Sequence, residues 1–189
     1  MMNDIGTIKL ETERLVLRKL ELNDANSMFS NWCNDEEVTR YLPWDCHGNI
    51  ETTKELLNIW LNDYNNYHTY RWIVILKESD KPIGTIDVVN KDIHNKVFEI
   101  GYCYSKETWG KGIATEALSM VIKFLFEEVG VEVVTAKHLE NNPASGKVMR
   151  KNNMKYEATL KSRVIDKVTK DRVGQVYYAI TKEEYIKNT

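Results

Sequence analysis

The residues with the most evident chemistry are Trp109-Gly110-Lys111-Gly112-Ile113-Ala114-Thr115. A helix N-terminus presents several N–H groups without backbone partners, together with the positive end of the macrodipole. Glycines at that point let backbone approach an anion closely. A strand, a Gly-x-Gly loop and a helix start therefore read together as a cradle for a diphosphate. The competing reading is a helix start that needs two glycines for its own geometry, and the local pattern does not separate the two. The other chemistry-bearing types are scattered. His47, His68, His94 and His138 show no metal-ligand spacing and no paired nucleophile, so each reads as an ordinary surface or loop histidine. Cys33, Cys46 and Cys103 are too few and too dispersed for a disulfide framework or a metal cluster. Cys103, on an expected central strand, reads as a small buried hydrophobe.

The elements that must position the glycine loop follow from periodicity. Ala114, Ala117, Leu118, Val121, Ile122, Leu125 and Val129 recur at the spacing of a core-facing helical stripe, which Gly130 closes as a left-handed cap. About 19 residues at roughly 1.5 Å each make this the longest helix. Strand one is expected from Ile8 to Leu20, with Leu15 and Leu17 on one face and Arg14, Val16 and Arg18 on the other. A helix from Asn23 to Trp32, capped by Asn23 or Asp24, follows, then a short one from Asp35 to Arg40. The next helix, Ile50 to Tyr64, buries Leu56, Leu57, Trp60, Leu61 and Tyr64. Strands two (Tyr70–Leu76), three (Ile83–Val89) and four (Val97–Ser105) are joined by a polar turn and by a loop at Asn90–Asn95. After the long helix come strand five (Val133–Lys137), a helix from Pro143 to Asn152, strand six (Met154–Leu160) and strand seven (Gln175–Thr181). A charged excursion, Lys161–Arg172, precedes the last strand. The segment Asn152-Asn153 can take the left-handed conformation that ends the shorter helix. With no repeat or linker, residues 1–189 read as a single domain.

Three segments in this order resemble the GCN5-related N-acetyltransferase (GNAT) superfamily, and within it the branch typified by ribosomal-protein N-terminal acetyltransferases. They are Glu11 through Arg18, the block from Gly101 to Ala117, and Asn142-x-x-Ser145 followed by Lys151-Asn152-Asn153-Met154. The resemblance covers the chain from about Ile8 to Tyr185. It implies an α+β fold, a three-layer α/β sandwich whose mixed, mostly antiparallel sheet of about seven strands carries helices on both faces. It also implies acetyl-CoA as co-substrate and no metal. The pantetheine arm would bond backbone at Cys103, Tyr104 and Ser105 like an added strand. The diphosphate would sit on N–H groups from Gly110 through Thr115, after Trp109, and Asn142 would bond the pantetheine amide. Two positions depart from the superfamily's pattern. Trp109 stands where Gln or Arg often begins the loop, as is common in this branch. Met149 stands where many members carry a proton-donating Tyr.

Acetyl transfer from a thioester to an amine needs a neutral amine, a polarised carbonyl and a route out for thiolate. An exposed amine with a pKa of roughly 8 to 10 is mostly protonated at neutral pH, so a base or a water relay helps. Glu99 is the candidate base, through water, set against a surface carboxylate on a strand. Ser145, one helical turn from Asn142, is the candidate thiolate partner, set against a structural serine. Lys147, Arg150 and Lys151 are candidates for the ribose phosphate, although any one of them reads better as solvated surface. Trp44, Trp72 and Tyr102 are candidates for lining the acceptor site, although aromatics at such places more often belong to the core.

Charge is unevenly spread. The net charge is −2, yet residues 1–69 hold six Lys+Arg against twelve Asp+Glu, and residues 137–172 hold ten against four. A basic C-terminal half suits a polyphosphate, and an acidic N-terminal half suits a cationic amine; both also fit solvated faces. No basic stripe coincides with exposed aromatics, which speaks against nucleic acid. No apolar run reaches the roughly 20 residues of a bilayer span and no signal-peptide layout is present, so a reducing cytoplasm is expected, with no membrane partner. The expected activity is acetyl-CoA-dependent N-acetylation of a primary amine, with coenzyme A and an amine acceptor as partners; a homodimer is compatible with the chain. A protein N-terminus is the first acceptor class and a small amine (aminoglycoside, polyamine or amino-acid analogue) the second. A non-catalytic acetyl-CoA sensor is the alternative of a different kind.

Overall fold

The computed structural model describes residues 2–188. Its centre is an eight-stranded sheet made of β1 (Leu10–Glu11), β2 (Leu15–Arg18), β3 (Arg71–Leu76), β4 (Lys81–Asp92), β5 (Val97–Tyr104), β6 (Val133–Leu139), β7 (Lys155–Ile165) and β8 (Arg172–Thr181). The spatial order is β1-β2-β3-β4-β5-β6-β8-β7. Neighbours run antiparallel except β5 and β6, which are parallel. A parallel pair needs a long crossover, and here the chain makes it through α4 (Ile113–Phe124), which continues through a wider turn over Leu125–Val129. Gly130 ends it at φ +82°, the expected left-handed cap.

Alternation along the strands divides the core between two faces. Leu15, Leu17, Trp72, Val74, Phe98, Ile100 and Tyr104 pack under α4, whose Ala117, Leu118, Val121 and Ile122 are buried against them. Burying each of the larger side chains contributes about 1.5–3 kcal/mol. On the other face Ile73 and Ile75 pack with Met28, Trp32, Cys33 and Leu57, and Val16 and Cys103 lean on this second cluster. It is covered by α1 (Ala25–Met28), with a wider turn over Phe29–Cys33, by α2 (Glu36–Thr39) and by α3 (Ile50–Asp63). On the α4 side lies α5 (Pro143–Lys151), and α6 (Lys182–Asn188) follows the last strand.

Several expectations change. Strand one is two strands, β1 and β2, folded back on each other with Leu10 opposite Leu17. The Thr12 hydroxyl makes the break by accepting from the Leu15 N–H, while the Thr12 N–H donates to the Leu15 carbonyl. The sheet therefore has eight strands where about seven were expected. The first helix opens as a turn over Leu22–Asp24 from an extended Glu21, and Asp24 reaches back to accept the Glu21 N–H at 2.7 Å. Strands β3, β4 and β7 differ in length from expectation. The Lys161–Arg172 excursion is largely the end of the β7–β8 hairpin, which stays paired to Ile165 opposite Arg172. A two-stranded ribbon in solvent has no apolar face to advertise. α6 was not foreseen.

Candidate active site

β5 and β6 pair only from Val97 opposite Val133 to Ile100 opposite Ala136. Beyond that point they part. Gly101–Tyr104 continues paired with β4 alone, and Lys137–Leu139 continues paired with β8 alone. The opening leaves one edge of β5 without a ladder partner over its last four residues. Past it the chain turns sharply: the Ser105 carbonyl accepts from Thr108 through both N–H (3.0 Å) and hydroxyl (2.8 Å), and the Trp109 indole donates to the Tyr104 carbonyl at 2.9 Å. The Ser105 N–H is bonded to the Ile83 carbonyl at 2.8 Å. On β5, backbone groups free for a ligand therefore lie before Ser105, and the Ser105 backbone is engaged on both sides.

The glycine loop follows. Gly110 and Gly112 adopt φ +75° and +78°. A Cβ on Gly110 would meet nothing within 4 Å, and one on Gly112 only the Arg14 guanidinium at 3.5 Å. The glycines thus serve backbone conformation, and the space over them is open. Gly112 occupies the cap position of α4, and no side chain caps that helix. Its first-turn N–H groups are left as donors in an exposed loop. A cavity of about 520 Å³ runs along α4 from Gly112 and Thr115 past Ser119 to Lys123, and Thr12, Glu116, Lys151 and Asn152 also line it.

The loop is held from behind by residues of the first segment. Glu116 accepts from the Thr12 hydroxyl (2.5 Å), the Arg14 N–H (3.0 Å) and the Arg14 Nε (2.6 Å), while Arg14 Nη1 donates to the Lys111 carbonyl at 3.0 Å. Partial burial acts to raise the Glu116 pKa, and these bonds from Thr12 and Arg14 outweigh it, so the carboxyl sits below its ordinary value. This clamp gives a role to the Glu11–Arg18 segment that its sequence alone did not disclose.

α5 begins across the opening. Asn142 Oδ1 accepts the Ser145 N–H at a long 3.5 Å, and Pro143 occupies the first turn. The Tyr102 hydroxyl lies 3.0 Å from Ser145 Oγ and 3.2 Å from the Ser145 carbonyl. Burial pushes the Tyr102 phenol up to about 12. Met149 is buried in the core, 1 % exposed. Gly146 permits a close approach, since a Cβ there would lie 2.5 Å from His138 Nε2. His138 Nδ1 donates to the Leu139 carbonyl at 2.7 Å, and its Nε2 is buried without a partner. Burial lowers its pKa, so the ring is neutral near pH 7.

Glu99 stands apart. It lies within the paired part of β5, opposite Thr135, and its Oε1 is 2.9 Å from Lys137 Nζ. It borders a second cavity, about 370 Å³, with Asn90, Asp92, Asn95, Val97 and Thr135. Alternation places Glu99 with Cys103 on the α1–α3 side and Tyr102 on the α4–α5 side. The structure therefore gathers Asn142, Ser145 and Tyr102 at the opening and Trp109 through Thr115 at its end. Glu99 comes to the opposite face, already ion-paired. Arg150 is turned to the Tyr178 hydroxyl (2.8 Å), whereas Lys151 lines the cavity beside Gly112.

The other side chains resolve simply. Trp72 is core, its indole donating to the Ile8 carbonyl. Cys103 packs with Thr85, and burial raises its thiol to about 11. His47 departs from the surface expectation: it is buried, its Nδ1 2.8 Å from the Thr53 hydroxyl. Trp44 belongs to a latch on the α1–α3 side. Lys167, at the tip of the β7–β8 hairpin, donates to the Trp44 carbonyl at 2.5 Å and pairs with Asp45 at 3.0 Å. Beside it the fully buried Asp166 carboxylate accepts from the Thr169 N–H, Asn141 and the Val168 N–H and lies 3.7 Å from Arg40; the Thr169 bond above all, against the cost of burial, holds its pKa down at about 2. Among the described residues no group of three His, Cys, Asp or Glu side chains could hold a metal, and no helix is long and apolar enough to cross a membrane.

The acetyltransferase (GNAT) domain family matches residues 14–155. The chain belongs to the GNAT acetyltransferase family. It is 32 % identical over 178 residues to the uncharacterized N-acetyltransferase p20 of Bacillus licheniformis, covering 93 % of this chain and 97 % of that one. Among solved structures, ribosomal-protein-S5-alanine acetyltransferase of Vibrio fischeri superposes with TM-score 0.81 at 19 % identity, over 94 % of this chain and 98 % of that one. The microcin C7 self-immunity acetyltransferase MccE, in complex with acetyl-CoA and AMP, gives TM-score 0.79 at 20 % identity, over 90 % and 93 %. These two likenesses establish the fold. Family membership makes this GNAT protein an acetyl-CoA-dependent N-acetyltransferase.

Proposed function

We propose that this GNAT enzyme acetylates the primary amine at a protein N-terminus, of the kind carried by ribosomal proteins. The observation that carries the catalytic reading is the parting of β5 and β6 after Ile100 and Ala136, next to the uncapped start of α4. When bound, acetyl-CoA supplies an acetyl group activated as a thioester. The N–H groups of Gly110 and of Gly112 through Thr115 hold its diphosphate, the Lys111 N–H being turned to the Thr108 carbonyl, and Trp109 fixes the loop through the Tyr104 carbonyl. The open edge at Tyr102 and the Tyr104 N–H takes the pantetheine arm by strand-like pairing, and Asn142 bonds its amide. Ser145 donates to the departing sulfur. Backbone N–H groups along the same edge polarise the carbonyl.

The amine approaches from the α1–α3 side, where the N-terminal half carries its acidic excess and where Glu99 stands. Glu99 takes the ammonium proton through water. Lys137 orients the carboxylate at 2.9 Å, and proximity and carbonyl polarisation carry most of the acceleration.

The choice of acceptor rests on the resemblance in Glu11–Arg18 and Gly101–Ala117 and on the fold shared with the S5-alanine acetyltransferase. Thiol release from acetyl-CoA, assayed against N-terminal peptides and small amines, tests it. The reading expects a kcat/KM for one peptide class at least tenfold above every small amine. A small amine that outperforms all peptides reverses the acceptor class, and cofactor binding without turnover across the panel leaves only a sensor.

A further inference from the structure

We propose that Tyr102 is the proton source behind Ser145, so that a residue on β5 supplies what Met149 on α5 cannot. The inference rests on the reading of the opening as the acetyl-transfer site. Tyr102 lies two positions beyond Ile100, the last residue of β5 paired to β6, so it stands where the strands part, its ring on the α4–α5 face beside the opening. Its hydroxyl lies 3.0 Å from Ser145 Oγ, where either oxygen can donate, and 3.2 Å from the Ser145 carbonyl, which can accept the same phenolic proton; the relay turns that proton to Oγ as Ser145 gives up its own. The β5 register and the start of α5 bring together residues 43 apart in sequence. Ser145 itself is only partly buried and so is reachable by a ligand in the gap, whereas Met149 is sealed in the core.

The chemistry explains why a serine needs such a neighbour. An aliphatic hydroxyl alone is a poor acid, since losing its proton leaves an alkoxide. A phenol is much the better donor, even where burial holds it at about 12. As the C–S bond breaks, its electron pair goes to sulfur, sulfur takes the Ser145 proton, and Ser145 Oγ takes the Tyr102 proton in the same movement. The phenolate regains a proton from solvent, which has received the one given up by the acceptor nitrogen. An amine N–H and a thioester become an amide and a thiol, with no net proton gained or lost. Tyr102 is thus a positioning and relay residue that acts through Ser145.

The test uses the full chain with acetyl-CoA and whichever acceptor turns over. Y102F, S145A and the double variant are assayed for kcat, for acetyl-CoA KM and for free coenzyme A binding. The relay predicts a fall of about 10²-fold in kcat for each single variant, with KM nearly unchanged and the double variant no slower than S145A. A fluorinated tyrosine introduced at position 102 keeps the shape while lowering the phenol's pKa, and it should draw the alkaline limb of kcat to lower pH. Independent, multiplying losses in the double variant, a Y102F that keeps its kcat, or an unmoved alkaline limb each overturn the relay while leaving acetyl transfer intact. A folded wild-type chain that binds coenzyme A but acetylates nothing removes the acetyl-transfer reading and the relay with it.

Discussion

Two helices begin at the same opening in the sheet and begin in opposite ways. α5 is closed by its own sequence: Asn142 caps it, Pro143 removes one donor, and Tyr102 ties Ser145 to β5. α4 has none of this. Two left-handed glycines lead into it, no side chain caps it, and the loop is exposed. Its support comes from behind, where Arg14 and Glu116 hold the Lys111 carbonyl and the first turn without covering the N–H groups. The contrast separates a helix start that spends its donors on stability from one that keeps them for a ligand.

The contrast breaks most sharply at Gly112. Gly112→Val puts a β-branched residue at φ +78° and fills the space above the amides. Acetyl-CoA affinity, measured by calorimetry, should fall on the order of 10²-fold, equivalent to losing one or two charge-assisted bonds of about 1.5–3 kcal/mol each. Arg14→Ala should be milder, raising the acetyl-CoA KM about three- to tenfold, because the clamp is partly exposed and screened. Added salt should shrink the gap between wild type and variant. Asn142→Ala should lower the thermal midpoint by an amount equivalent to about 1 kcal/mol, the usual value of a helix cap, and weaken acetyl-CoA binding much less than Gly112→Val because only one bond to the pantetheine amide is lost. If it instead weakens cofactor binding as much as Gly112→Val, the two helix starts are alike and the contrast fails.

The smallest expected effect lies at the Lys167 latch. Asp166 titrates at about 2 in the folded chain, below the ordinary 3.8, because backbone and Asn141 bonds favour its charged form. Its contribution is complete above pH 3.8 and disappears as pH falls through about 2. Acid titration followed by near-ultraviolet circular dichroism, with Trp44 beside the latch, should show a step in that window that Asp166→Asn lacks.

Much of this was legible in the chain. The α4 stripe, its Gly130 stop and the alternating Leu15 and Leu17 declared themselves because their periods are long and their neighbours polar. The glycine loop was visible, but its local pattern fitted a helix start that needs two glycines as well as a cradle, and only its order with the other two segments separated them. The β1–β2 fold-back was missed: an unbroken strand would put Leu10 on the face opposite Leu15 and Leu17, whereas all three enter one cluster. The fold-back turns on a single Thr12 hydroxyl. Contacts that cross the sequence were beyond reach. Nothing in the local pattern of Arg14 points to Glu116, of Lys137 to Glu99, or of Tyr102 to Ser145, because sheet register joins Lys137 to Glu99 and the docking of α4 and α5 on the sheet joins the other two pairs.

The measurement closest to the centre of the account is an amide-resolved NMR titration of the protein with coenzyme A and, separately, with pantetheine, which lacks the diphosphate. Coenzyme A should move the N–H signals of Gly110, Gly112, Ile113, Ala114 and Thr115 most, while pantetheine leaves them in place and shifts Gly101 through Tyr104. Equal movement of the α4 amides by both ligands, or none by either, would contradict the assignment of this helix start to the diphosphate.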